Sequence, residues 1–101
     1  MKARRQAGFA SIGGLPPAPI TRVEPGYSEE ARLAKLQGTV KIALIVDAEG
    51  NPKDPVVIGS LGLGLDEKAV EAVKQWKFRP ATVGGKPVAA KVTIEVNFRL
   101  R

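Results

Sequence analysis

The chain has 101 residues, with 16 Lys plus Arg against 10 Asp plus Glu and a formal net charge of +6. That length suits one domain. With 44% hydrophobic but only 5% aromatic residues, the core must be built mainly from Val, Ile, Leu and Ala. There is no cysteine, which excludes disulfides and thiolate metal sites. There is no histidine either, which removes the commonest general base, pH switch and metal ligand and argues against catalysis. The positive balance favours acidic partners, but no positive run is longer than Arg4-Arg5, which reads as a solvated surface. No apolar run approaches the ~20 residues of a membrane span. Met1 to Arg5 resembles the charged start of an export signal, but Gln6 to Gly14 is too polar and glycine-rich to continue one. The chain is therefore expected to be soluble and to carry no export signal of its own.

Residues 1–19 read as a disordered or Pro/Gly-rich linker, with Leu15-Pro-Pro-Ala-Pro19 as an extended spacer. Ser28 is placed to cap a first helix, with Glu29 and Glu30 at the positive end of its dipole. Leu33 and Leu36 share a face of that helix, Tyr27 folds onto its first turn, and Gly38 is the left-handed residue past its end. From Thr39 to Asp47 the pattern alternates. Val40, Ile42, Leu44 and Val46 form the buried row of a strand. The turn residues from Asp47 to Pro52 lead into a returning strand over Pro55 to Leu61, whose Val56-Val57-Ile58 shows no clear inner face.

Asp66 is expected to cap a second helix, with Leu65 and Val70 as a hydrophobic staple. Ala69, Val70, Val73 and Trp76 are its apolar stripe, and Pro80 ends it by Phe78. Val83-Gly84-Gly85-Lys86 is a turn. The last strand, Val88 to Leu100, directs Val92, Ile94, Val96, Phe98 and Leu100 inward and Lys91, Thr93, Glu95, Asn97, Arg99 and Arg101 outward. The fold class is thus α+β, in the order α-β-β-α-β. A three-stranded antiparallel sheet carries two helices packed on one face. The last strand adds beside the first, leaving its own outer side open.

Catalytic constellations are missing from this pattern. The serines have no histidine to activate them, and the carboxylate pairs Glu29-Glu30 and Asp66-Glu67 sit where helix starts favour negative charge. Gly59-Ser-Leu-Gly-Leu-Gly-Leu65 lacks the endings of a phosphate loop and reads as a connector whose leucines fill the core. Trp76-Lys77-Phe78-Arg79 interleaves aromatics with cations, but both aromatics read as core anchors rather than stacking platforms. The outward row of the last strand, with Glu95 in its middle, is too mixed for a phosphate track. Neither a cofactor nor a nucleic-acid partner is expected.

The ordered set Pro25-Gly-Tyr27-Ser-Glu-Glu-Ala-Arg32, Gln37-Gly-Thr-Val40, Val46-Asp-Ala-Glu-Gly50, Leu65-Asp-Glu-Lys-Ala69, Ala72-Val-Lys-Gln-Trp-Lys-Phe-Arg-Pro80 and Gly85-Lys-Pro-Val88 resembles the carboxy-terminal domain of the TonB energy transducers, over residues 20–101. The resemblance implies a periplasmic domain, carried in the full-length protein by an inner-membrane helix that residues 1–101 do not include. It further implies that proton-motive force reaches the domain through the ExbB–ExbD complex. The domain then grips the TonB box of an outer-membrane transporter by adding it as a strand to the edge of the last strand. On that reading the partner-binding residues are Glu24, Pro25 and Tyr27 with the strand residues Val92, Thr93, Ile94, Glu95, Val96, Asn97, Phe98 and Arg99. Glu24 stands where enterobacterial members carry a glutamine, and Ser28 where the usual Tyr-Pro has its proline. Exposed edges also allow a homodimer by strand exchange. The alternatives are a TonB-like interaction or dimerisation domain of another envelope or signalling protein, and a basic nucleic-acid-binding domain.

Overall fold

Val40, Ile42, Leu44 and Val46 alternate along strand β2 (Gly38–Val46), and all four are at most 2% exposed. Two further strands pair with β2 antiparallel: β3 (Pro52–Gly59) on one side and β7 (Ala90–Phe98) on the other. The expected order β3-β2-β7 is the one observed in this computed structural model, which describes residues 14–100. Most of the expected linker and Arg101 lie outside the described residues. Two helices, α1 (Glu29–Leu33) and α2 (Leu65–Val73), contribute Ala31, Leu65, Ala69 and Val73 to the same core as the inner rows of β2 and β7. Each fully buried Val, Leu or Ile side chain is worth about 1.5–3 kcal/mol. Of the largest fully buried side chains, Phe98 comes from β7, four come from β2 and two from α2, so the seam between these elements holds the domain.

The local chemistry departs from expectation at both helices. Ser28 caps α1 as expected, accepting from the Ala31 amide at 3.1 Å, and its hydroxyl also donates to the Leu63 carbonyl. But α1 ends at Leu33, which is 75% exposed, while Leu36 lies beyond the helix and packs against the core. The left-handed residue is Lys35 (φ 56), not Gly38. The Leu36 amide reaches the Ala31 carbonyl and the Lys35 amide the Arg32 carbonyl, the pair of bonds that defines a Schellman ending. Gly38 instead opens β2, where a Cβ would strike Leu61.

Asp66 does not cap α2. Gly64, itself left-handed, stands at the N-cap. The Asp66 carboxylate turns back to accept from the amides of Leu61 (2.9 Å) and Gly62 (3.3 Å) and from the Ser60 hydroxyl. Burial pushes its pKa upward, but these hydrogen bonds outweigh that and hold it below the usual value. In the same loop Leu61 packs on the core and Leu65 is fully buried, whereas Leu63 points out.

The stretch expected to continue α2 to Phe78 leaves the helix after Val73, turns at Lys74 and Gln75, and enters a strand at Lys77. After α2, β4 (Lys77–Arg79) pairs antiparallel with β1 (Ala18–Thr21), so the boundary placed after residue 19 falls inside a strand. Leu15 exchanges backbone bonds with Thr82, in β5 (Ala81–Val83). β5 pairs with β6 (Lys86–Val88) around the expected Gly84-Gly85 turn. These strands are three or four residues long, too short for a period-two pattern to register. The β2–β3 turn is tied to β4. Asp47 accepts from the amides of Glu49 and Asn51, and the Gly50 carbonyl accepts from the Phe78 amide at 3.0 Å. Gly50 needs its freedom, because φ is +88 and a Cβ would collide with the Phe78 carbonyl.

Two substitutions test these devices by chemical denaturation. Lys35→Gly relieves a left-handed non-glycine residue and should stabilise the domain by about 1 kcal/mol. Gly50→Ala combines backbone strain with a collision and should cost on the order of 3 kcal/mol, whereas Gly84→Ala, whose Cβ meets open space, should cost about 1–2 kcal/mol. Equal costs at the two glycines would remove the role given to the Gly50–Phe78 contact.

Candidate functional site

A three-stranded open sheet has two edges, and the sequence treats them differently. β3 carries Pro52 and Pro55, its register with β2 slips twice, and Asp54 lies in the left-handed region. Proline and bulges blunt an edge against further pairing. β7 has neither proline nor glycine, and it pairs with β2 through nine consecutive positions without a slip, from Gly38 opposite Phe98 to Val46 opposite Ala90. Among the described residues no strand pairs with its outer side. β7 is therefore the edge that can accept another strand.

The segment Arg22 to Tyr27 lies across from the end of that edge. Between the two runs a groove of about 640 Å³, within the size range of ligand clefts. Four contacts hold its far wall. The Trp76 indole N–H donates to the Val23 carbonyl at 3.0 Å, and the Arg22 guanidinium lies 5.6 Å from the centre of the Trp76 ring. The Tyr27 ring meets Phe98 edge-on, centroids 5.6 Å apart, and its hydroxyl donates to the Leu36 carbonyl. Tyr27 thus reaches across to β7 and to the end of α1, rather than folding onto the first helical turn. Beyond β7 the backbone is fixed by Gln37, whose side-chain oxygen accepts from the Leu100 amide at 2.8 Å.

Of the residues singled out from the sequence, Glu24, Pro25 and Tyr27 come together with Glu95, Val96, Asn97, Phe98 and Arg99 around the groove. Val92, Thr93 and Ile94 lie farther along β7, outside it. Val96 and Phe98 are buried in the core and have little but backbone to offer a partner, whereas Glu95, Asn97 and Arg99 are exposed. Arg22, Val23, Trp76 and Leu100 join the lining. Trp76 is the one with a legible signal. It is the only tryptophan, and a buried indole seeks an acceptor for its N–H. Here it anchors the core, 5% exposed, and braces the wall as well. The groove's charges are mixed, with Arg22 and Arg99 against Glu24 and Glu95. Among the described residues no cluster of carboxylates is arranged to hold a metal ion, and no helix is long and apolar enough to cross a membrane.

Comparison with known proteins identifies the family and the fold. Residues 23–100 match the family described as the Gram-negative bacterial TonB protein C-terminal. Protein TonB of Vibrio cholerae is 40% identical over 80 residues, covering 78% of this chain and 33% of that protein. Protein TonB of Xanthomonas campestris pv. campestris is 39% identical over 77 residues, covering 75% and 34%. The chain thus spans about a third of the length of these curated relatives. The solution NMR structure of the Pseudomonas aeruginosa TonB CTD superposes with a TM-score of 0.65 at 27% identity, over 83% of this chain and 86% of that one. With its family match running from the groove wall at Val23 to the end of the last strand, the chain belongs to the TonB carboxy-terminal domain family.

Proposed function

We propose that the groove between Arg22–Tyr27 and the edge of β7 receives the TonB box of an outer-membrane transporter as an added strand. The chain is then the periplasmic domain of an inner-membrane-anchored transducer. Force derived from the proton gradient through an ExbB–ExbD complex reaches the transporter through that strand. The observation that carries this reading is an uninterrupted, unpaired strand edge with a braced wall facing it. Backbone hydrogen bonds along such an edge give affinity without requiring one side-chain sequence, and alternate side chains give selectivity. The grip needs no catalytic group, in keeping with a family whose members are not enzymes.

A TonB-box peptide titrated into the isotope-labelled chain should shift the backbone amides of Glu95 to Arg99 together with those of Val23 and Tyr27. Shifts confined to the Gly59–Leu65 loop would sink the strand-addition mode. Trp76→Phe keeps an aromatic ring in the core but removes the donor to the Val23 carbonyl. Loss of one neutral hydrogen bond is worth about 0.5–1.5 kcal/mol, so peptide affinity should fall roughly two- to tenfold, with the β7 amides still responding. Unchanged affinity in a folded variant would show that the wall does not need the indole.

A further inference from the structure

Along β7 and its continuation, every second residue of the outward row, and so every fourth residue of the chain, is charged: Lys91, Glu95 and Arg99. All three are exposed, and the one ion pair among the described residues, Lys53 with Asp47, involves none of them. On the β2 side the register sets Ile45 beside Lys91 and Lys41, too far for an ion pair, beside Glu95, and it ends at Phe98, short of Arg99. The other side of the row is the open edge.

Side chains of adjacent strands that share a face meet as directly opposed pairs, favourable for opposite charges and unfavourable for like ones. Because strand side chains alternate, positions four apart on β7 meet positions four apart on an added strand. We propose that this edge reads charge: it selects an extended peptide with an acidic, a basic and an acidic residue at every fourth position. The inference rests on the strand-addition reading and names the peptide chemistry that the edge prefers. The order acid, base, acid is the same from either end, so it holds whether the peptide runs parallel or antiparallel to β7. Thr93 and Asn97 lie between the charges and suit polar neutral neighbours. The peptide's intervening residues turn toward half-buried Val23, Pro25, Tyr27 and Leu100, which suit apolar ones.

The same row disfavours two other occupants. A phosphate backbone would meet Glu95 in the centre. A second β7, antiparallel and centred on Glu95, would set Glu95 against Glu95 and Lys91 against Arg99, like charges at all three positions.

The test uses the full 101-residue chain and two synthetic peptides with one Thr/Val background. One carries Asp, Lys and Asp at every fourth position, the other Lys, Asp and Lys. Fluorescence anisotropy gives affinity and amide shifts give location. Each opposed pair is worth about 1.5- to 5-fold, so the Asp/Lys/Asp peptide should bind at least about threefold tighter in low salt. The gap should close near ~1 M salt, where charges are screened beyond about 3 Å. Glu95→Lys, an exposed change, should narrow the gap between the two peptides, because the central Lys of the first then meets a cation and the central Asp of the second gains one. Equal affinities with both peptides shifting Glu95–Arg99 overturn the charge reading and leave strand addition standing. If neither these peptides nor a TonB-box peptide shifts those amides, strand addition falls and the charge reading with it.

Discussion

Nine consecutive cross-strand pairs run between β2 and β7 without a bulge, from Gly38 opposite Phe98 to Val46 opposite Ala90. Register in a sheet with one buried face is all or nothing, because a one-residue slip would turn every core side chain to solvent. Here a slip would expose Ile94, Val96 and Phe98 and bring Glu95 and Asn97 into the core. The ladder therefore fixes where Phe98 stands. Phe98 in turn receives Tyr27 edge-on, and Tyr27 ends the segment that forms the groove's far wall. The position of the candidate site is thus a consequence of core register.

Trp76 makes the second connection between core and site. A tryptophan buried within the core brings a polar N–H that costs free energy unless it finds an acceptor. The acceptor is the Val23 carbonyl, on the wall. The same requirement that makes Trp76 acceptable as a core residue thereby immobilises a segment with no regular secondary structure between Thr21 and Glu29. Arg22, lying over the indole, adds a contact from the solvent side.

The sheet order, both inner strand rows, the Ser28 cap and the Gly84-Gly85 turn were legible because each rests on a local rule that tertiary contacts reinforce. The misreadings share another cause. Asp66 has the right identity and place to cap a helix, but the amides of Leu61 and Gly62 compete for its carboxylate, and their position depends on how the loop folds. Lys35 holds a conformation that local rules assign to Gly38 because Leu36 must turn inward to reach the core. Phe78 reads as the end of a helix by spacing, yet the Gly50 carbonyl and β1 claim that stretch as a strand. For the site, the open edge could be read from strand order and alternation. The groove could not, since its far wall is irregular backbone and its brace is a side chain 53 residues away in sequence.

A nine-residue strand with an open outer edge is a hazard as well as a candidate site, because such an edge can template aggregation. The chain handles its two edges by different means. At β3, prolines and register slips interrupt pairing even though Val56 and Ile58 remain 56% and 57% exposed. At β7, the proposed strand addition requires a continuous edge, which such interruptions would destroy. Protection there has to come from devices that leave the backbone intact. The Arg22–Pro25 wall restricts approach near Glu95 to Arg99, and a charge at every second outward position penalises an apolar or in-register copy. On the proposed reading, a single row of side chains both guards the open edge and discriminates among the strands that reach it, since both tasks depend on which charges the incoming strand sets opposite Lys91, Glu95 and Arg99.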